Sequence, residues 1–430
     1  MLNLSGKVSK TKIIDTLWAF FALLGPSLLQ LFYTIVAARA LNPDEFGRLM
    51  LCVSVGTIMM SFSGLGAGGL LLRETARQPE RIGDFLGKSI GWTFTTLPIV
   101  GSVAIAVMLV MSPTHMPLWL ALCIGFSELV SWRIAMNCSL VFVALGQQLR
   151  VAVVVMLIPL GRLVAALATM AMSPQNPLFA FAIAYVSSTF VSMLVALWYT
   201  TSKTTRPRFS FLPFDFLGGA SFSLTWFNAA MQVESDKLIL AFFTTPGDVA
   251  AYAIAARLMD GLYAPTRALR VVLQPKVYRA GAEGSSVAVI KVLSSILPII
   301  FLFGVLAWIG TVVTAPIAVW VFGPKYHLLG HILPLMAALP LVRSIVETGS
   351  ELFLASDRAR FQTFMQLSAT IFRIVISTAL TASFGLDGAA YAAIASAIVI
   401  GGIYWGTAGM MVRRHRASAN ATILNEERNA

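Results

Sequence analysis

The sequence predicts an all-α, polytopic membrane protein with twelve transmembrane helices. Of its 430 residues, 57% are hydrophobic and 12% are charged, and the mean hydropathy is +0.80. A soluble domain usually has about a quarter of its residues charged, so we expect most of this chain to lie in lipid. Apolar runs near the spanning length of about 20 residues recur at 16–38, 49–71, 89–111, 117–143, 149–172, 178–200, 221–243, 250–273, 287–315, 331–354, 362–384 and 387–412.

The loops between these runs alternate between basic and non-basic. The basic set holds Lys7, Lys10, Lys12, Arg73, Arg77, Arg81, Lys88, Arg150, Lys203, Arg206, Arg208, Lys276, Arg279, Arg358, Arg360, Arg413, Arg414 and Arg416. The other set has little beyond Arg39, Arg48 and Lys325. Basic loops stay on the cytoplasmic side, so we expect both termini to be cytoplasmic. The net charge of +12 then reflects topology and attraction to anionic lipid, not nucleic-acid binding.

No metal or cofactor site is predicted. Cys52, Cys123 and Cys138 all fall within apolar runs and lack the spacing of metal ligands, so we interpret them as packing residues. The loops opposite the basic set are short, which leaves no room for an external catalytic domain.

Two internal correspondences predict a duplicated half. SLVFVALGQQLR (139–150) matches SELFLASDRARF (350–361) at an offset of 211 residues, and the same offset places Arg162 on Arg373. NPDEFG (42–47) matches TPGDVA (245–250) at an offset of 203. Parallel repeats are common in transporters that bind substrate at the repeat interface. We therefore expect six-helix lobes at 1–200 and 221–412, a cytoplasmic linker at 201–220 and a cytoplasmic tail at 413–430.

Two loop motifs have structural interpretations. The repeated proline motif has a cap residue, a proline in the first turn and an acid three residues after the cap, which predicts a capping box. The glycine-rich SGLGAGGLLLRE (63–74) is not followed by the Gly-Lys-Ser/Thr of a phosphate loop, so we expect close helix packing or a bend there.

Charged residues inside the apolar runs are the candidate functional residues. A charge near the bilayer centre costs at least about 2.5–3.5 kcal/mol, so it should face protein or water. In the run at 221–243, Glu234 and Lys237 are neighbours at i, i+3 and can pair, while Asp236 points away from Glu234. One helix therefore serves two environments.

The run at 250–273 carries a basic stripe. On a helix, Arg257, Asp260 and Arg267 fall within an arc of about 80°, and Arg270 lies beside it. A structural ion pair with Asp260 is the alternative role for Arg257. For Arg267 and Arg270 the alternative is snorkelling at the membrane interface.

The remaining intramembrane charges also admit two interpretations. Arg343, Glu347 and Glu351 follow one another at i, i+4 spacing, which predicts an internally paired stripe. Arg133 follows Glu128 on one helix, whereas Arg162 and Arg373 lie alone on theirs. A lone arginine of this kind binds carbonyls or a carboxylate on another helix unless it lines a cavity.

Motifs of moderate specificity run through nearly the whole chain in a characteristic order. They are ARALNPDEFGRL (38–49), GLGAGGLLLRE (64–74), SDKLILAFFTTPGDVAAYAIAARL (235–258), VFGPKYHLLGHILPLMA (321–337) and FGLDGAAYAAIAS (384–396). Together they resemble the oligosaccharide flippases, typified by O-antigen flippases, of the polysaccharide-transporter branch of the multidrug/oligosaccharidyl-lipid/polysaccharide superfamily.

This resemblance implies a two-lobed, twelve-helix bundle around a central cavity in the bacterial inner membrane. The implied activity is movement of undecaprenyl-pyrophosphate-linked oligosaccharide from the cytoplasmic to the periplasmic leaflet, without a cofactor, for O-antigen, lipopolysaccharide or exopolysaccharide synthesis. Implied partners are that lipid-linked oligosaccharide, the lipid bilayer, a polysaccharide polymerase and a chain-length regulator.

Cationic cavity residues are implied to receive the pyrophosphate, an anion that arginine binds through forked donors. The candidates in this chain are Lys237, Arg257, Arg267 and Arg270. Secondary candidates are Arg39, Arg133, Arg162, Arg343 and Arg373, with Glu234, Asp236, Asp260, Glu347 and Glu351 as charge partners.

Two other functions are weighed against a flippase. A multidrug or organic-cation antiporter of the same superfamily would favour unpaired acids in its cavity, whereas the acids here have an arginine or lysine nearby in sequence. A membrane glycosyltransferase or polysaccharide polymerase would need catalytic groups at a membrane face and commonly a large external loop. The sequence favours the flippase.

Overall fold

The computed structural model describes residues 10–111, 116–209, 215–282, 286–355 and 359–429, and its regular elements within these ranges are all helical. Two of the basic residues used for the topology, Lys7 and Arg358, lie outside them. The helices are α1 Lys10–Ala40, α2 Pro43–Met59, α3 Ala67–Arg77, α4 Ile82–Val110, α5 Leu118–Phe126, α6 Arg133–Ala144, α7 Gln148–Met172, α8 Pro177–Lys203, α9 Phe216–Phe243, α10 Pro246–Ala282, α11 Ser286–Phe322, α12 Leu329–Met336, α13 Leu339–Ala355 and α14 Ala359–Asn429.

All twelve predicted spans fall largely on helical residues. Seven helical stretches of the described chain are long and apolar enough to cross a membrane, judged by length and composition. The all-α, multi-pass fold class is therefore confirmed, while the count of twelve stays a prediction. The two last predicted spans are joined in α14, where Gly385 has non-helical dihedrals of φ 56° and ψ −129°.

The glycine-rich segment bends the chain, as predicted. α2 ends at Met59 and α3 begins at Ala67, so the second predicted span is interrupted. Gly64 and Gly66 have φ values of 74° and 76° in the intervening turns. These are left-handed conformations that glycine adopts without steric cost.

Both predicted capping boxes form. The Asn42 backbone N–H donates to Glu45 Oε2 at 2.9 Å at the start of α2. At the start of α10, the Thr245 backbone N–H donates to Asp248 Oδ2 at 3.2 Å, and the Asp248 N–H donates to Thr245 Oγ1 at 3.3 Å. These bonds satisfy N–H groups that a helix start leaves unpaired.

The described chain divides into two compact units. Unit one comprises Met1–Ile254 and Val319–Leu328, and unit two comprises Ala255–Ala318 and Leu329–Ala430. Unit one thus includes α9 and the start of α10, which the repeat assigns to the second lobe. The predicted lobes describe a duplication in the sequence, whereas the two units describe where contacts are dense. The lobe boundaries therefore stay a prediction.

Each unit has its own apolar core. Buried residues of unit one include Leu86, Ile134, Val141, Phe142 and Ile158. Those of unit two include Val289, Leu293, Leu352, Phe353 and Tyr404.

Helix α9 packs closely against α2 and α3 within unit one. Gly47 of α2 contacts the carbonyl of Pro246, just beyond α9, and Gly66 contacts the carbonyl of Gly219 near the start of α9. A Cβ atom at either glycine would collide with these backbone atoms. Small residues let helix backbones approach at such distances. The two copies of the repeated proline motif also meet here, since Gly247 lies beside Asp44.

Candidate functional site

A buried ion pair joins two helices of unit one. Arg162 Nη2 on α7 lies 2.5 Å from Glu128 Oε1, and the side chains are 0% and 1% exposed. The Tyr185 hydroxyl on α8 donates to the same oxygen at 2.6 Å. Arg162 also stacks on Trp132 and Tyr185, with 4.2 Å from its Cζ to each ring centroid. The lone arginine on α7 therefore binds a carboxylate on another helix, as its structural interpretation predicted.

Glu128 lies in a π-helical segment, Ser127–Trp132, between α5 and α6. Such segments are rare and occur frequently at functional sites. The Glu128 Oε2 atom and the Ser127 and Ser131 hydroxyls are buried without a hydrogen-bond partner among the described residues. This segment therefore concentrates polar groups inside an apolar span.

Arg133 follows the π-helical segment and is fully buried, with 0% exposure. Its guanidinium carbon lies 4.7 Å from the centroid of the Trp226 ring on α9. Its Nε and Nη2 atoms have no hydrogen-bond acceptor in the described part of the chain. Glu128, the nearest acid in sequence, is bound to Arg162 and does not pair with Arg133.

The charges of α9 are arranged as predicted. Lys237 pairs with Glu234 one turn away, and both side chains are about nine-tenths buried. Asp236 accepts a hydrogen bond of 2.8 Å from the Tyr252 hydroxyl on α10. The Lys237 charge is therefore balanced by a carboxylate on its own helix.

Arg270 of α10 is the centre of a buried cluster in unit two. It lies 2.8 Å from Glu347 and 3.3 Å from Glu351, both on α13. Its Nη2 also donates to the Tyr263 hydroxyl at 2.5 Å. Two carboxylates therefore balance this arginine, which is 8% exposed and does not snorkel.

The predicted pair between Arg257 and Asp260 does not form. Asp260 instead accepts a bond of 2.7 Å from Arg343 Nη1 on α13, because the packing of α10 and α13 brings these side chains together. Arg343 also lies 3.5 Å from Glu347, which confirms part of the predicted α13 stripe. The three charged residues of this stripe do not pair only with one another, since Glu351 pairs with Arg270 of α10.

Arg257 and Arg267 differ from the other primary candidates, which are ion-paired. Both are half-buried on α10, and neither has an ion pair with any described residue. The Nε atom of Arg267 is shielded from solvent and lacks a hydrogen-bond partner in the described ranges. Arg373, the predicted repeat counterpart of Arg162, is half-buried on α14.

Arg39 has a structural role at the end of α1. Its Nε donates to the Val321 carbonyl at 2.7 Å, and Lys325 Nζ donates to the carbonyls of Arg39 and Leu41 at 3.1 and 2.6 Å. Burial lowers the pKa of Lys325, while the nearby Glu45 carboxylate opposes this shift. These bonds hold Val319–Leu328 against the end of α1, beside a cavity of about 260 Å³.

Sequence reasoning missed the aromatic partners of the intramembrane arginines. Trp226 stacks on Arg133 from another helix, and Tyr263 contacts Arg270 and Arg343. Only the spacing of Tyr263 and Arg270, two turns apart on α10, carries a sequence signal. The Trp226 contact depends on how α9 packs.

Comparisons with known proteins agree on the family and the fold. A family profile described as polysaccharide biosynthesis protein matches residues 14–262, more than half of the chain. No curated protein matches the sequence significantly.

Solved transporter structures cover nearly the whole chain. An inward-facing multidrug resistance transporter of the MATE family, from the MOP superfamily, is 15% identical with a TM-score of 0.70, over 93% of this chain and 99% of its own. The lipid II flippase MurJ, in an inward closed conformation, is 13% identical with a TM-score of 0.70, over 91% and 86%. An outward-facing MATE transporter of the MOP superfamily is 12% identical with a TM-score of 0.62, over 94% and 96%.

These neighbours have the fold of transporters and flippases, not of a glycosyltransferase or another enzyme. The superfamily resemblance inferred from the sequence motifs is confirmed, although its O-antigen branch is not distinguished. The chain is a multi-pass membrane protein that belongs to the polysaccharide biosynthesis protein family, and it shares the fold of transporters of the MOP superfamily.

Proposed function

We propose that this protein is a flippase that moves undecaprenyl-pyrophosphate-linked oligosaccharide from the cytoplasmic to the periplasmic leaflet of the bacterial inner membrane. It then serves surface polysaccharide synthesis, upstream of a polymerase and a chain-length regulator. Both termini are cytoplasmic in this proposal. The family membership and the flippase among the structural neighbours support this class of activity.

The observation that carries the proposal is that two arginines on α10 lack an ion-pair partner among the described residues. Arg257 and Arg267 are half-buried and have no carboxylate partner among the described residues, whereas Lys237 and Arg270 are paired. Placing a cation in an apolar span is costly unless an anion or water receives it. A pyrophosphate group is such an anion, and the guanidinium fork matches its oxygens.

The carboxylates weigh against the antiporter alternative. Five of the intramembrane acids have a cationic partner: Glu128, Glu234, Asp260, Glu347 and Glu351. A sixth, Asp236, accepts a hydrogen bond from the Tyr252 hydroxyl. A site for an organic cation needs negative charge that is not already balanced. Binding of a cationic dye by the purified protein, lost on neutralising one of these acids, would favour the antiporter.

The decisive experiment measures lipid-linked oligosaccharide left on the cytoplasmic side of cells that depend on this transporter. Arg257→Ala combined with Arg267→Ala should slow transport at least about tenfold, since each charge-assisted bond contributes about 1.5–3 kcal/mol. Arg257→Lys should have a smaller effect because it keeps a point charge without the fork. Arg279→Ala is the matched control, on the same helix with an exposed side chain. All variants are compared at equal membrane abundance.

Full transport by the double variant would remove the assignment of these two arginines. No accumulation in cells that lack the transporter would refute the flippase function itself.

A further inference from the structure

Arg133 is a buried cation without a counter-charge in the described chain. It is 0% exposed, and two of its three guanidinium nitrogens, Nε and Nη2, are shielded from solvent without an acceptor. These two nitrogens form the edge with which arginine binds an oxyanion in a bidentate manner. The edge is therefore intact and unused in this conformation.

The protein compensates this charge only in part. The Trp226 ring attracts the guanidinium across 4.7 Å, but a cation–π contact does not replace the solvation that a buried cation has lost. By contrast, the equally buried Arg162 has a carboxylate at 2.5 Å. Arg133 and Arg162 both lie in unit one, and of the two only Arg162 has a carboxylate partner among the described residues.

A buried polar side chain lies near the free edge. Asn137 lies one turn further along α6, and its Oδ1 atom is also buried without a partner. Its Nδ2 donates to the Ser89 hydroxyl on α4 at 3.4 Å, and that hydroxyl donates to the Leu86 carbonyl at 2.9 Å. A Cβ atom at Gly68 of α3 would lie 2.6 Å from Asn137 Oδ1 and 3.2 Å from Arg133 Nη2. The glycine therefore brings backbone directly against this polar cluster.

Helix α9 covers the cluster through close packing. Gly66 contacts the Gly219 carbonyl and Gly69 contacts the Phe222 ring, so successive turns of α9 lie on the glycine-rich segment. Trp226 follows one turn later and covers Arg133. Movement of α9 along or away from this seam would uncover the guanidinium edge.

We propose that the free edge of Arg133 forms a second diphosphate-binding site, which Trp226 covers in the conformation described here. The inference rests on the proposed function, because it assigns the site to the diphosphate of the transported lipid. It places an anion-binding group on α6, apart in sequence from the α10 arginines.

The test is thermal unfolding of the purified full chain in detergent, with undecaprenyl pyrophosphate, inorganic pyrophosphate or undecaprenyl alcohol added. Undecaprenyl pyrophosphate should raise the Tm of the wild type by several degrees, since a ligand that binds only the folded state stabilises it. In a background that carries Arg257→Ala and Arg267→Ala, and therefore lacks the first site, Arg133→Met should weaken the remaining apparent affinity at least tenfold. Arg150→Gln removes a half-buried arginine whose partners in the described ranges are Gln147 and the Phe142 ring, and it should leave the affinity unchanged.

The unliganded Tm separates binding from a structural role. Arg133→Met should have a Tm equal to or above that of the wild type, because it removes an uncompensated charge. A Tm several degrees lower would mean that the contact with Trp226 is structural and would overturn the inference. Tryptophan fluorescence gives an independent measurement with Arg133 in place. Addition of the lipid should change the emission of the wild type but not that of Trp226→Phe.

The added compounds distinguish the source of the signal. Stabilisation by inorganic pyrophosphate as well as by the lipid supports recognition of the headgroup, and stabilisation by the lipid alone supports recognition of headgroup and tail together. Equal stabilisation by undecaprenyl alcohol, or an affinity that Arg133→Met changes less than twofold in the background without Arg257 and Arg267, would overturn the inference. The transport assay on Arg257 and Arg267 tests the proposed function separately, because Arg133 is intact in those variants.

Discussion

Removing the positive partner of the buried pair in unit one should strongly destabilise the protein. In Arg162→Met, the Glu128 carboxylate would keep the Tyr185 hydroxyl as a donor but lose the one cation that pairs with it among the described residues. Both side chains of the pair are at most 1% exposed, so water cannot replace the arginine without a rearrangement of α5, α7 or α8. The variant therefore isolates the cost of an uncompensated charge.

The magnitude follows from the geometry. Removing one partner of a buried ion pair costs about 3–5 kcal/mol. The lost stacking on Trp132 and Tyr185 adds about 0.5–2 kcal/mol. Replacing both charged partners by uncharged residues, as in Glu128→Gln with Arg162→Met, avoids the unpaired charge and should cost only about 1–2 kcal/mol. The double variant should thus be more stable than Arg162→Met.

The assay is the Tm in detergent of the wild type, the two single variants and the double variant at one pH and lipid content. We expect the Tm of the double variant to lie above that of Arg162→Met by several degrees. Additive effects of the two substitutions would show that the side chains do not interact energetically. An unchanged Tm in Arg162→Met would refute the argument that Glu128 is charged and buried in the folded protein.

Two further predictions concern packing and orientation. Gly47→Ala should lower the Tm, at a cost of about 1–3 kcal/mol, because its methyl group would meet the Pro246 carbonyl, whereas Gly125→Ala, with no atom within 4 Å, should leave it unchanged. Equal Tm values for the wild type and Gly47→Ala would show that the backbone at Pro246 can move away from the added methyl group at little cost. In a cysteine-free background, Arg206→Cys should be protected from an impermeant thiol reagent in intact cells and the exposed His327→Cys should react; the reverse pattern would invert the proposed topology.

Local features of the sequence predicted local features of the structure. The pair between Glu234 and Lys237 follows from i, i+3 spacing, and the contact between Arg343 and Glu347 follows from i, i+4 spacing. Both capping boxes and the glycine bend at Gly64 are likewise encoded within a few residues. In each case helix geometry alone brings the groups together.

Long-range partners could not be predicted in this way. Glu128 and Arg162 are on different helices, as are Asp260 and Arg343, and their contacts depend on rotation and axial position of each helix. The sequence offered Arg257 as a partner for Asp260 at the same helical spacing that succeeded elsewhere. It failed because an arginine on α13 approaches the carboxylate more closely. The cation that lacks a partner is thus identified only after the helices are packed.

The position of Val319–Leu328 constrains the order in which the protein is completed during synthesis. This segment belongs to unit one, where Lys325 and Tyr326 bond to the Leu41 carbonyl, although the rest of unit one ends at Ile254. At a translation rate of about 5–20 residues per second, several seconds separate the two parts. During that interval the nascent unit exists without its last segment. A fragment ending at residue 262, where the family profile ends, would remain permanently in that incomplete state, so the profile's boundary is a poor guide for dividing the gene.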